Sequence, residues 1–339
     1  MKIDRELLRK KKKNARDLDR IKNLASLLAI RFFESAGLDI VYDGEQRRSE
    51  MYQYPTRFVD GLEPLGHVRI FDNKYFNMTL CANRIGLRRP YHVEEFKFAA
   101  SNTNKELKVP ITGAATIAYW TDNHWYFTKH RELASNPKFR MFAARRDFLF
   151  DVAKKVIRPN LQALVRAGAK RIQIDEPAAA MHTGKEDLQL FVDASNESVK
   201  GIDAKISLHI CFSDYQALVP EILDMKKCDQ LTLEFANRDD ARLGTSKEDR
   251  TGYRDLELFR EYGHRGEVGL GVVNVHTDFV PSPELVRDRI LYASRILDSD
   301  KIFVNPDCGL RTRRWPVAYD MLKNMVKGAE LASKVLSRS

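Results

Sequence analysis

The chain has 339 residues, 43% of them hydrophobic and 31% charged, a balance that buries a full core and excludes an intrinsically disordered protein. No run approaches the ~20 consecutive apolar residues of a membrane span, and the charged N-terminus lacks the apolar stretch of a secretory leader, so a cytoplasmic protein is expected. The formal net charge of +10 favours acidic partners, yet the densest basic run, Arg9 to Lys13, has no interleaved aromatics and reads as a solvated helix start, a poor nucleic-acid signal.

Residues 1–35 read as a basic helical segment. Beyond it, short apolar runs alternate with longer amphipathic stretches, the pattern of repeated βα units. The runs predict strands at 38–43, 109–114, 171–175, 205–210, 230–235, 268–275 and 301–306, with helices at 138–167, 185–200, 214–227, 283–297 and 316–336. Residues 66–93 break the alternation with β-rich, aromatic-rich sequence and read as a hairpin excursion over one barrel end. No Gly/Ser/Pro linker divides the series, so residues 1–339 are expected to form a single domain.

Seven or eight parallel strands with covering helices can close as a barrel or lie open as a doubly wound sheet. Polar residues decide between them. Glu45, Trp120, Asp175 with Glu176, His209 with Cys211, Glu234, His276 and Cys308 fall at or beyond the ends of successive strands, and they converge only if those strands form a ring. An α/β fold of the TIM-type barrel class, with its chemistry at the C-terminal face, is therefore expected. Neither a G-x-G-x-x-G after a strand nor a P-loop motif is present, which removes support for dinucleotide or nucleotide binding.

In a strand, side chains at i and i+2 leave the same face, so His209 and Cys211 of "SLHICF" point together. They are either two halves of a metal site or two alternating core residues. Zinc takes soft, deprotonated ligands in tetrahedral array, and His209, Cys211, Glu234 and Cys308 offer N, S, O and S from strand ends. A cysteine taken singly packs as a small hydrophobe. Asn305, Pro306, Asp307 and Gly309, however, are turn residues that set Cys308 at a loop mouth. Cys81 and Cys228 have no histidine or carboxylate at strand spacing and read as core.

Six motifs in order, "GLDIVYDGEQRRSEM", "RIQIDEPA", "SLHICF", "LTLEF", "GVVNVHTDFVPS" and "IFVNPDCGLRTRRW", resemble the catalytic half of the cobalamin-independent methionine synthases, from about residue 37 to the C-terminus. The second barrel of the full-length enzymes has no counterpart here, and the chain is similar to the short core members of the family. The resemblance implies a (β/α)8 barrel, related to the uroporphyrinogen decarboxylase barrels, and zinc-dependent methyl transfer to the thiol of homocysteine. It carries His209, Cys211, Glu234 and Cys308 over as zinc ligands, Glu45 and Asp175 as the carboxylates that hold the homocysteine amino group, His276 as proton donor, and Trp120 as the aromatic that stacks on a pterin.

Two departures stand out. Where the family has its first strand, "MKIDRELLRKKKKNARDLDRIKNLASLLAIRFF" is helical, so that strand is missing or replaced. Leu87 and Met181 stand where the folate-dependent members place donor contacts. Together with the absent second barrel, these substitutions point to a methyl-corrinoid donor, methylcobalamin or a corrinoid protein docked through Lys10 to Lys13. The alternatives are a methyl-tetrahydrofolate donor, favoured by Trp120 and His276; a different thiol acceptor such as coenzyme M; and a non-catalytic basic scaffold that binds nucleic acid or protein and needs no zinc.

Overall fold

The computed structural model describes residues 15–71 and 74–338. After the helix Ala15–Ser35 come β1 (Ile40–Val41), β2 (Val59–Phe71), β3 (Lys74–Leu87), β4 (Glu106–Thr112) and β5 (Thr121–Asp122). Then follow β6 (Arg171–Asp175), β7 (Lys205–Ile210), β8 (Gln230–Leu233), β9 (Glu267–Val273) and β10 (Ile302–Pro306). Seven of these strands pair in the order β1-β4-β6-β7-β8-β9-β10, every pair parallel, while β2, β3 and β5 form a separate three-stranded sheet. β8 is buried at every position and β7 at every position after Lys205, as expected of parallel strands covered on both faces.

The parallel sheet curls. The Arg171 guanidinium on β6 lies 5.3 Å from the ring centroid of Phe303 on β10, four strands along, where a flat sheet with ~4.8 Å spacing would hold their backbones about 19 Å apart. Arg171 also meets Glu106 of β4 at 2.9 Å and Glu267 of β9 at 3.4 Å, so one buried arginine gathers charges around the N-terminal end of the barrel. Among the described residues the ring is not closed between β10 and β1. The helix Ala15–Ser35 joins the two borders: Phe32 packs against Trp315 at 4.7 Å, the Tyr319 hydroxyl donates to the Ser35 carbonyl at 3.1 Å, and Ser26 donates to Asp43 beyond β1 at 3.2 Å. The basic run Arg9 to Lys13 lies outside the described residues.

Covering helices fill most of the connections. Pro137–Val152 runs through a π turn at Ala153–Ile157 into Arg158–Arg166; Pro159 has no N–H to give the carbonyl four residues back, and the backbone widens there. Lys185–Val199, Leu256–Glu261, Pro283–Ala293 and Trp315–Leu336 follow later connections, and Pro283–Ala293 is capped by Ser282, whose hydroxyl accepts from Leu285 N at 3.2 Å. Between β7 and β8 the expected helix 214–227 is instead two 3-10 turns, Tyr215–Ala217 and Glu221–Asp224, because Pro220 removes a donor from the middle of the run.

Register levels the C-terminal ends of the strands. Thr112 pairs with Asp175, and Asp175 with His209, so residues far apart in sequence open onto one face. The β2–β3 hairpin stands beside that face and pairs with β5 at Thr79 and Leu80.

Candidate active site

His209 closes β7 and Cys211 follows it after one residue, while the turn after β10 presents Cys308. Their ligand atoms lie within 4.8 Å of one another, the one such group of three or more metal-binding side chains among the described residues. His209 Nδ1 is 2.9 Å from the Thr232 carbonyl. A carbonyl can only accept, so Nδ1 carries a proton and Nε2 is the nitrogen left to face the thiols. Nε2 is buried with no nitrogen or oxygen partner, and its neighbours are the two thiols. A buried imidazole nitrogen beside two thiols is a donor set that fits zinc, with the Thr232 carbonyl as the outer support that fixes ring orientation.

The Cys211 and Cys308 thiols meet side by side. Cys211 donates to Cys308, and that bond together with His209 pulls the Cys308 thiol down while the Cys211 thiol is pushed up. Glu234, just past β8, is outside the three-residue group but adjoins it. Its Oε2 accepts from Phe212 N at 3.1 Å and from Asn237 Nδ2 at 2.8 Å. Its Oε1 is buried without a hydrogen bond, 3.5 Å from His276 Nε2. Burial raises the Glu234 carboxyl to about 7, the Phe212 N–H opposing and Cys308 adding to the rise.

His276 lies beyond β9 at the mouth, its ring 4.5 Å from that of Phe212. Asp175 ends β6; its Oδ1 accepts from Gln173 Nε2 at 2.8 Å, and burial raises its carboxyl to about 6, with His209 opposing and the charges of Glu45 and Cys308 adding to the rise. Glu45 follows β1 and is 39% exposed, tied to Arg48 at 2.9 Å. Asp175 thus borders the thiol cluster from the β6 side, and the charge of Glu45 reaches Asp175 from the β1 side. Trp120 is set apart: it ends the helix Ala114–Tyr119, its ring 5.3 Å from Phe76 of the hairpin and 5.8 Å from Tyr52. Cys81 is fully buried, and the Cys228 thiol donates to the Gln230 carbonyl at 3.3 Å; neither joins the cluster.

Asp307 does more than shape a turn. Its Oδ1 accepts from Phe235 N at 3.1 Å and from Ala236 N at 3.0 Å, binding the turn that carries Cys308 to the loop that carries Glu234. The "NPDCGL" motif shows an aspartate before the cysteine, but nothing in it names residues 235 and 236 as the partners. Arg48 and Glu95, which back Glu45, give no sequence signal because they meet across 47 positions.

A curled parallel sheet with a thiol–imidazole cluster at the C-terminal ends of its strands has the arrangement of a barrel enzyme's active face. The family described as "Cobalamin-independent synthase, Catalytic domain" matches residues 2–331. The methionine synthase of Thermoplasma acidophilum is 38% identical over 308 residues, covering 87% of this chain and 84% of the relative. That of Thermococcus kodakarensis is 37% identical over 315 residues, covering 93% and 84%. The B12-independent methionine synthase of Shewanella sp. W3-18-1, solved in complex with selenomethionine, superposes with a TM-score of 0.79 at 22% identity, covering 97% of this chain and 92% of that one, and shows the same fold. The chain belongs to the cobalamin-independent methionine synthase family and is a methyltransferase.

This membership corrects the donor expected from the sequence. A family defined as cobalamin-independent does not use methylcobalamin, a methyl-corrinoid or a corrinoid protein partner. The expectation rested on the missing second barrel, on the net positive charge, and on Leu87 and Met181. Met181 is 68% exposed at the end of the 3-10 turn Pro177–Met181, and Leu87 ends β3 packed against the core. Neither residue touches the thiol cluster, and losing one donor's contacts creates no site for another. No helix among the described residues is long and apolar enough to cross a membrane.

Proposed function

We propose that this protein transfers a methyl group to the thiol sulfur of homocysteine, giving methionine, with zinc held by His209, Cys211, Cys308 and Glu234. The observation that carries the reading is the buried His209 Nε2, which has no nitrogen or oxygen partner and lies within 4.8 Å of the Cys211 and Cys308 thiols. Zinc, when bound, supplies a thiolate from the substrate thiol at neutral pH. The chain's own residues do the rest. Thr232 fixes the His209 tautomer, and Phe212 N and Asn237 hold one Glu234 oxygen so that the other faces the cluster. Glu45 and Asp175 receive the substrate ammonium as charge-assisted acceptors, an anionic pair that disfavours a sulfonate-bearing thiol such as coenzyme M.

The donor in this reading is an N-methyl pterin of the tetrahydrofolate type. A departing ring nitrogen needs a proton, and His276, at the mouth beside Glu234, is placed to give it; Trp120 offers an aromatic face on the hairpin side. Four free cysteines, with no disulfide among them, suit a reducing compartment, so we place the protein in the cytoplasm. The test is zinc content with methionine formation from homocysteine and methyl-tetrahydrofolate. About one zinc per chain is expected in the wild type and in Cys228→Ser, and little in a Cys211→Ser/Cys308→Ser double variant, which should be inactive. Equal zinc in the double variant would overturn the site, and no turnover with the pterin donor would overturn the donor.

A further inference from the structure

Glu45 is the open tip of a buried chain of ion pairs. Its backbone is in the left-handed region, φ 55°, with its N–H held by Asp43 Oδ1 at 2.8 Å. One turn later Arg48 folds back on it: Arg48 Nη1 donates to Glu45 Oε2 at 2.9 Å and to the Pro110 carbonyl at 2.9 Å, while Nε donates to Glu95 Oε2 at 2.9 Å. The Arg48 side chain is 4% exposed and that of Glu95 3%, against 39% for Glu45. The other Glu95 oxygen lies 3.1 Å from His92 Nδ1. His92 is itself buried and left-handed, and it stacks on Tyr54 with the ring planes 8° apart. Burial lowers His92 to about 4, so at neutral pH it is an uncharged donor and Glu95 keeps its full negative charge for Arg48.

A buried guanidinium with two carboxylates divides its donors between them. Here one carboxylate is enclosed and the other is part-exposed, on the side where its charge reaches Asp175. We propose that Glu95 is a positioning residue: through Arg48 it aims the Glu45 carboxylate at the amino group of the thiol substrate. The inference rests on the proposed homocysteine reading and adds a residue to it. With Glu95 in place, Arg48 is neutralised from behind and needs only one edge of Glu45. Without it, Glu45 becomes the one carboxylate hydrogen-bonded to the buried cation, with Asp43 contributing only its nearby charge, is drawn down onto it, and turns from the substrate ammonium.

The experiment compares homocysteine with 4-mercaptobutanoate, which is homocysteine lacking its amino group, in zinc-replete enzyme. In Glu95→Gln the KM for homocysteine should rise about tenfold, the scale of one charge-assisted hydrogen bond, with kcat nearly unchanged and the KM for 4-mercaptobutanoate unmoved. A variant that is merely destabilised loses both thiols alike, and equal loss, or no change with either thiol, would overturn the proposal. If Glu95→Gln does not fold, Arg48→Lys, which keeps the charge but not the two-edged fork, is read by the same ratio with the same outcomes. Glu45→Gln separates the two levels of the argument. If it leaves the ratio untouched, the substrate reading fails. If it shifts the ratio while Glu95→Gln does not, only the role of Glu95 fails.

Discussion

Gly113→Ala probes the joint between β4 and β6. Gly113 has φ −81° and ψ 174°, extended backbone open to any residue, so glycine is required there for space alone. A Cβ would come within 2.7 Å of Glu176 Cγ and closer still to its carboxyl group. That carboxyl is 1% exposed and accepts from Ala115 N at 2.9 Å, Thr116 N at 2.7 Å and Thr116 Oγ1 at 2.8 Å, satisfying the first turn of the helix that leads to Trp120. Expelling it loses three hydrogen bonds at about 1 kcal/mol each, and overpacking adds about 1–3 kcal/mol, so Gly113→Ala should destabilise by roughly 4–6 kcal/mol. Glu176→Ala loses the same three bonds, about 3 kcal/mol, and clears the space the new methyl needs. In that background Gly113→Ala should cost under about 1 kcal/mol, leaving a coupling of roughly 3–5 kcal/mol in a double-mutant cycle. Urea midpoints at constant m-value measure all four corners. Additive losses would refute the argument, because they would mean that residue 113 and the Glu176 carboxyl do not compete for one space.

Asp175→Asn should weaken homocysteine binding by roughly 1.5–3 kcal/mol, the range for a hydrogen bond to a charged group; calorimetry showing an unchanged affinity would place the ammonium elsewhere. His276→Asn should lower kcat by about 10²–10⁴ with the homocysteine KM little changed, as loss of a general acid does, and a variant with full kcat would remove His276 from the proton path. His92 gives a pH dependence of definite sign. Its folded value of about 4 lies below the ordinary 6.5, so between those values the unfolded chain binds more protons and stability falls as pH falls. The loss relative to His92→Gln should reach roughly 2–3 kcal/mol near pH 4.5, and parallel stability–pH curves for the two proteins would refute it.

The barrel strands were legible because parallel strands buried on both faces are written as short unbroken apolar runs. Residues 171–175 and 205–210 coincide with β6 and β7, and the helix expected over 185–200 is Lys185–Val199. Strand 38–43 shrank to Ile40–Val41, since its tail, Tyr42 and Asp43, turns away to serve Arg48 and Ser26. The i, i+2 spacing and a turn-borne cysteine left the thiols open between a metal site and the core, and the family resemblance named His209, Cys211 and Cys308, which the structure brings within 4.8 Å of one another. What holds the cluster and Glu45 in place was not. Asp307 grips two backbone N–H groups some seventy positions away, and Glu95 reaches Arg48 across 47; such pairings depend on how the strands close, which no local pattern records. The donor was misread for a different reason. Leu87 and Met181 report the chemistry of a hairpin edge and an exposed rim, and they were asked about a ligand that neither touches.

Strain shows how far the fold defers to the site. Among the described residues three non-glycine residues are left-handed: Glu45 at φ 55°, His92 at 68° and Phe212 at 53°. Each costs about 1 kcal/mol or more, and such residues persist only where their surroundings over-determine them. All three adjoin residues of the candidate site. Glu45 bends so that its N–H reaches Asp43 and its carboxylate reaches Arg48. His92 bends where the helix Val93–Ala100 begins, which brings its ring onto Glu95 three residues later. Phe212 bends directly after Cys211, sending its N–H to Glu234 and its ring to His276. In each case a neighbouring charged group is fixed through the unfavourable backbone, and a glycine that relieved the angle would lose the side chain that makes the contact. The two halves of the site, carboxylate pair and thiol cluster, are therefore held by the same device: a strained residue at a strand's end or a helix's start, backed by buried ion pairs on one side and by the Asp307 clasp on the other.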